Sequence, residues 1–361
     1  MAKGSFLPLA LSHPIVLLLY PACIVHWNSS AECNPVPTLP GGPYLQQVTK
    51  PIDHGEGPFW DSEKQALYFV DIAGFTVHRY HPHTRSHTTA YIGKDVGFIF
   101  PIKGTKEEFL IGRGTDLVHL TWDGTNSTLT PEMKVLATVD QDKEPGNRFN
   151  DAKVDASGRL WAGTMGFEDP TTGVKPNQGT LYRMVQDPHL PGPCKLDPVV
   201  SPVSISNGII WNAQNNLMYY IDTPTRKIDV FDYDIRTGSI ANRRTVFDFA
   251  SAFVPGSPDG MTIDSDGKLW VASWGGSRIL KIDPLTSSLL ASILLPVERP
   301  TSVAFGGMNY DTLYVTTMRK GLSYEQLLSQ PNAGALFKIT NLPNRGVYTP
   351  PVNYNCDTWV M

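Results

Sequence analysis

The stretch Ile263-Asp264-Ser265-Asp266-Gly267-Lys268-Leu269-Trp270-Val271-Ala272-Ser273 decides the fold. An Asp/Gly turn leads into an apolar strand that ends in small or polar residues. The grammar recurs on both sides. Val154-Asp155-Ala156-Ser157-Gly158-Arg159 leads into Leu160-Trp161-Ala162-Gly163-Thr164, and Trp211 to Asn216 leads into Leu217-Met218-Tyr219-Tyr220-Ile221-Asp222. Trp60 to Ala66 leads into Leu67-Tyr68-Phe69-Val70-Asp71, Met308 to Thr312 leads into Leu313-Tyr314-Val315, and a weaker copy sits at Lys106 to Ile111. The anchoring leucines 67, 110, 160, 217, 269 and 313 stand 43, 50, 57, 52 and 44 residues apart. Six strand-rich units at this spacing describe an all-β chain, a six-bladed β-propeller with four-stranded blades. A β-sandwich array would not repeat Asp-x-x-Gly-x-Leu-Trp at blade spacing. Val77-His78-Arg79-Tyr80, Ile228 to Tyr233 and Ile279 to Asp283 alternate in polarity as second strands of these units.

Composition agrees. In 361 residues, apolar types make up 41% and charged types 18%, enough for a core and against general disorder. The formal charge of −4 leaves no basic surplus, so nucleic acid is not an expected partner. No Cys-x-x-Cys, Gly-x-Ser-x-Gly, His-Glu-x-x-His or Walker A motif occurs.

Gly4 to Ala31 holds no Asp, Glu, Lys or Arg, and Ile15 to Tyr20 is its apolar heart. With Lys3 before it and Ser29-Ser30-Ala31 after it, residues 1–31 read as a secretory signal peptide, or as an uncleaved anchor. The expected location is extracellular, with membrane anchoring as the alternative and no stable membrane partner once the leader is cleaved. Residues 32–45 form an extended Pro/Gly lead-in, and residues 46–361 form one propeller domain. Asn126-Ser127-Thr128 is a candidate N-glycosylation site at Asn126, beside a turn. Cleavage leaves Cys33, Cys194 and Cys356. The first and last lie near the ends of the mature chain, so ring closure suggests a Cys33–Cys356 bridge with Cys194 free; the alternative is three unpaired thiols.

Candidate chemistry comes from one phase relation. Glu56, Asn150, Asn207 and Asp259 each stand ten or eleven residues before a leucine anchor. In a propeller such positions converge at one mouth of the central channel. Two carboxylates and two amides are hard oxygen donors, suited to Ca2+, Mg2+ or Mn2+. Singly, Glu-Gly, Asn-Gly and Asp-Gly read as turns; in phase across separate repeats they read as a shared site. Arg148, in Asn147-Arg148-Phe149-Asn150-Asp151, is either a channel residue that binds a polyhydroxy or anionic substrate or an exposed turn arginine. His81, His83 and His87 read as a solvated hairpin rather than a metal site. Trp161 and Trp270 read as core. His54 is either a neighbour supporting Glu56 or a strand-edge residue.

These segments resemble the SMP-30/gluconolactonase family, which includes regucalcin and luciferin-regenerating enzyme, with a style nearest its arthropod luciferin-regenerating-like branch. The matching motifs include Gly55-Glu56-Gly57-Pro58-Phe59-Trp60, Asn147 to Asp155, Ser206-Asn207-Gly208, Pro258 to Asp264, Gly267 to Ala272 and Thr301 to Gly307, in family order over roughly residues 45–345. The resemblance implies a six-bladed propeller with one divalent cation in the channel, Ca2+ first, with Zn2+, Mg2+ or Mn2+ as alternatives. It implies metal ligands Glu56, Asn207 and Asp259, and substrate contacts Arg148, Asn150 and Glu168, the last in a weaker match. Ala152 stands where a glycine is common, and the leader sets this chain apart from cytosolic members. The implied activity is hydrolysis of a small lactone, with Asp259 as general base or nucleophile. The alternatives are a non-catalytic calcium- or ligand-binding propeller, and a nitrile- or thiazoline-processing enzyme of the luciferin-regenerating type.

Overall fold

The computed structural model describes residues 42–126, 130–143, 145–186, 192–354 and 356–359. Six sheets, each with four antiparallel strands, stand one after another along the chain, the six blades of a β-propeller. Blade 1 runs through Gly55–Asp61, Ala66–Asp71, Thr76–His81 and Ser86–Tyr91. Blade 2 begins at Val96–Pro101, blade 3 at Arg148–Val154, blade 4 at Ser206–Trp211, blade 5 at Ser257–Ile263 and blade 6 at Pro300–Gly306. These six innermost strands are almost wholly buried, because each is flanked by two others and lines the axis. Five of the six anchoring leucines are fully buried at the start of the second strands, and Leu217 is half-buried. Trp161 and Trp270 are core residues as expected.

The repeated Asp turn has a structural explanation. Asp155 accepts hydrogen bonds from the Ser157 and Arg159 amides, from Trp161 Nε1 (3.1 Å) and from Tyr233 Oη of blade 4 (2.7 Å). Asp264 does the same in blade 5 for the Asp266 and Lys268 amides and for Trp270 Nε1 (3.0 Å). One carboxylate thus closes the turn and fixes the tryptophan that packs between blades.

Ring closure is non-covalent. Tyr44–Gln47, which straddles the expected lead-in boundary, pairs antiparallel with Phe337–Thr340 and becomes the outermost strand of blade 6. The other chain end corrects the expected disulfide. Cys356–Trp359 adds in parallel to Gly192–Val203 as a fifth strand of blade 3. This brings Cys356 beside fully buried Cys194, and those two form the disulfide, with Cα atoms 5.5 Å apart. Cys356 is therefore not paired with Cys33, which lies outside the described residues together with the leader, and Cys194 is not free. The tail reaches this point across the face opposite the strand entrances. The Ser265 amide donates to Arg345, Val352 exchanges hydrogen bonds with Pro101 and Lys103, and the Asn353 amide donates to Gly158.

Blade 1 also holds the expected histidine hairpin. His83 is exposed on the turn, but His87 sits on the last strand and hydrogen-bonds His78 (2.9 Å), which is also bonded to Thr76 and stacked on Phe69. Burial holds both imidazoles below their ordinary pKa, and for His78 the His87 ring adds to this. A histidine kept neutral in the fold binds fewer protons than in the unfolded chain, so stability rises with pH and is lost as pH falls below about 6.5. The expected slope is at most about 1.4 kcal/mol per pH unit for each group. Urea midpoints between pH 5 and 7 should show it, and His78→Gln/His87→Gln should flatten it.

Candidate metal and substrate site

Each innermost strand carries a β-bulge at the same level. The register against the second strand shifts between Glu56 and Phe59, Val96 and Phe98, Phe149 and Ala152, Asn207 and Ile209, Pro258 and Met261, and Pro300 and Ser302. A bulge re-aims a side chain that regular pleating would send elsewhere. Glu56, Asn150, Asn207 and Asp259 all stand at these bulges, with Val96 and Thr301 at the corresponding places of blades 2 and 6. The Glu-Gly, Asn-Gly and Asp-Gly pairs are thus not turns; they lie inside strands. Glycine is required by crowding as well. A Cβ on Gly97 would lie 2.7 Å from the Phe149 carbonyl oxygen, and one on Gly208 would lie 2.9 Å from that of Asp259.

Glu56, Asn150, Asn207 and Asp259 are all buried, as is Arg148, so Arg148 is not an exposed turn residue. A directional chain of hydrogen bonds joins Arg148, Asn150 and Asn207 and ends beside Asp259. Arg148 has only donors, so its Nη1 fixes Asn150 Oδ1 as acceptor (2.7 Å). Asn150 Nδ2 then donates to the Ser206 carbonyl and to Asn207 Oδ1 (3.0 Å). Asn207 Nδ2 in turn donates to Thr223 Oγ1 (2.7 Å), which donates to the Pro258 carbonyl beside Asp259. Both asparagine orientations follow from this order. The Asn207 amide oxygen spends one lone pair on Asn150 and keeps the second.

Three carboxylates crowd the same place. Burial, reinforced by Asp151, pushes Glu56 up to about 8. Burial, then Glu56 and Asp151, raises Asp259 well above the ordinary carboxylate range. Burial also raises Asp151, against the pull of Lys153 and an amide bond from Ala152. Arg148 is lowered by burial, while Asp95, Glu168, Glu56 and Asp259 oppose the shift. Buried acids that repel one another are in the state that a dication relieves. Among the described residues, no three His, Cys, Asp or Glu side chains form a metal cluster by themselves. A cation here needs the Asn207 amide oxygen beside Glu56 and Asp259, and that hard-oxygen set fits Ca2+, Mg2+ or Mn2+ better than a softer ion.

Glu168 stands apart from this buried group. It lies on a two-stranded ribbon, Glu168–Asp169 against Gly173–Val174, in the loop joining two strands of blade 3. It is exposed, yet near enough for Arg148 to feel its charge. His54 precedes the innermost strand of blade 1, bridges to Met318 and has a buried Nδ1 without a hydrogen bond. Its pKa is depressed by burial and then by Arg148, Lys320 and Arg299.

Sequence reasoning missed Thr223 and Lys320, and it singled out Asp151 with Asn150 but gave it no role. Asp151 was in plain view beside Asn150, but the bulge lets two consecutive residues serve one site where a strand offers one. Thr223 and Lys320 follow second strands, where the leucine spacing carries no signal.

The family model described as SMP-30/Gluconolactonase/LRE-like region matches residues 54–319. Regucalcin from Homo sapiens is 39% identical over 293 residues, covering 81% of this chain and 92% of its own length. Regucalcin from Danio rerio is 37% identical over 305 residues, covering 83% and 94%. A solved luciferin-regenerating enzyme superposes with a TM-score of 0.80 at 36% identity, over 87% of this chain and all of its own. Regucalcin from Agrobacterium tumefaciens, described as a calcium-binding protein, has a TM-score of 0.74 at 24% identity, over 85% and 97%; it bears on the fold alone.

Proposed function

The chain belongs to the SMP-30/gluconolactonase/LRE-like family, which supports a lactonase-like function, and on that premise we propose that it is a divalent-cation-dependent hydrolase of small lactones. The observation that carries the reading is the buried, bulge-borne set Glu56, Asn207 and Asp259, with Asn207 tied through Asn150 to Arg148. Glu56, Asn207 and Asp259 are the residues that would hold the cation, with Ca2+ the first candidate. Bound there, it would supply a Lewis acid to the lactone carbonyl.

The other roles fall to side chains. Arg148 makes its hydrogen bonds through Nη1, to Phe149 and Asn150, and offers its remaining N–H groups to ring hydroxyls. Asn150 is held rigidly enough to orient the ring, and Glu168 receives a hydroxyl at the entrance. A carboxylate oxygen of Asp259 takes a proton from the attacking water as the new C–O bond forms. That proton passes to the ring oxygen when the acyl C–O bond breaks, leaving a hydroxy acid. The leader-like residues 1–31 and the Cys194–Cys356 disulfide support an oxidising, extracellular setting. Exposed Asn126 is then a glycosylation site.

The test is turnover of D-glucono-δ-lactone by purified protein stripped with EDTA and resupplied with Ca2+, Mg2+, Mn2+ or Zn2+ singly. Restored turnover is the expected result. Calorimetric Ca2+ binding without turnover on a broad lactone panel would leave a binding protein instead. The likeness to luciferin-regenerating enzyme favours a second reading, conversion of a nitrile or thiazoline, which the same preparation tests with a luciferin-pathway nitrile.

A further inference from the structure

Blades 3 and 6 are opposite one another in a ring of six. Glu168 comes from blade 3, and Lys320 follows the second strand of blade 6, Thr312–Thr317. Both loops lie on the face where the innermost strands begin, the face that holds Glu56, Asn207 and Asp259. Yet Lys320 Nζ and Glu168 Oε2 are 3.2 Å apart. An ion pair between opposite blades has to cross the axis, so it lies over the channel mouth. Arg148 below feels Glu168, and His54 feels Lys320, which puts both ends of the pair next to the site.

The two ends are anchored differently from their tips. The Lys320 amide donates to the Asp53 carbonyl (2.9 Å), and its carbonyl accepts from Arg299 Nη1 (2.8 Å). Arg299 is in turn stacked over Trp274. The Lys320 backbone is therefore held from two sides, while its side chain is about half exposed and ion-paired to Glu168. From this geometry we infer that Lys320 gates the channel mouth. Its bond to Glu168 bars the mouth, and a ligand enters only from the state in which the bond is broken. The inference rests on the reading of the channel as the lactone site.

The arithmetic is that of a partly populated competent state, in which apparent affinity falls by the fraction of molecules that are open. An exposed ion pair shifts such a balance by about two- to fivefold. Lys320→Met keeps the stem and backbone contacts and removes the charge. At low ionic strength it is expected to lower KM for D-glucono-δ-lactone about two- to fivefold with kcat unchanged. Lys320→Arg should behave as wild type. Raising salt to about 0.5 M should bring wild-type KM down to the Lys320→Met value and leave that variant unmoved.

Equal KM in wild type and Lys320→Met at both salt levels overturns the inference. So does a higher KM in the variant, which would make Lys320 a direct substrate contact. If no lactone is turned over, the hydrolase reading falls, and calorimetric titration with D-glucose, a neutral polyol, decides the strap by the same comparison. Uptake that depends on Lys320 and salt in the expected sense supports it. Uptake indifferent to both, or no uptake by either protein, overturns it.

Discussion

Asp259→Asn is expected to lower lactone turnover by about 10²- to 10⁴-fold, the range lost with a positioned proton acceptor, while leaving the protein at least as stable as wild type. The two halves of this result come from one cause. Burial, and then the neighbouring Glu56 and Asp151, raise the Asp259 pKa well above the ordinary range. The amide has nearly the same shape, so the bulge and the Gly208 contact against the Asp259 backbone stay as they are. What disappears is a charge that chemistry needs and folding resists. The check pairs kcat with a urea midpoint in metal-free buffer. Turnover within about tenfold of wild type would remove Asp259 from the proton-transfer step. A large fall in the midpoint would mean that its role is structural.

Asp155→Ala should do the reverse: cost about 3–5 kcal/mol of stability, the range for breaking a buried ion pair, with chemistry intact in whatever remains folded. Asp155 is fully buried and pairs with Arg159 at 2.8 Å, while also accepting from Trp161 and Tyr233. Truncation leaves a guanidinium, an indole N–H and a phenol without their acceptor, at the seam between blades 3 and 4. Asp155→Asn retains an oxygen for the turn amides and should cost less. Urea unfolding measures both, and a loss below about 1 kcal/mol in the alanine variant would show that water replaces the carboxylate there.

These two aspartates also mark how much was legible in the sequence. Asp155 and its counterpart Asp264 announce themselves, because the turn, the glycine and the buried tryptophan that each carboxylate serves are all local. That locality made the blade count readable. Asp259 was legible through phase, since Glu56, Asn150, Asn207 and Asp259 stand ten or eleven residues before a leucine in four of the repeats. The bulge behind that offset was not legible, and so the Asp-Gly and Asn-Gly pairs kept an alternative reading as turns. Contacts that join distant blades left no trace at all. Lys320 meets Glu168 across 152 positions, and Cys356 finds Cys194 across 162, each through the path of a loop or tail. The proximity of the chain ends suggested a bridge for Cys356, but the tail's route over the far face selected another partner. Family resemblance added the roles of Arg148 and Glu168, which periodicity alone could not distinguish from solvated residues.

The strand Tyr44–Gln47, borrowed from the start of the chain to finish blade 6, has a kinetic consequence. Four blades, and the first four strands of blade 3, are assembled from consecutive residues and can form while the ribosome is still extending the chain. The sixth blade has to wait, because Phe337–Thr340 emerges almost 300 residues after the strand it pairs with. Until then the nascent protein is an open arc with an unpaired edge at each end, the kind of surface that invites association with other chains. Closing a loop of that length is a late, entropically costly event. Yield during synthesis is therefore expected to depend on Tyr44–Gln47 far more than a four-residue strand with no fully buried residue would suggest.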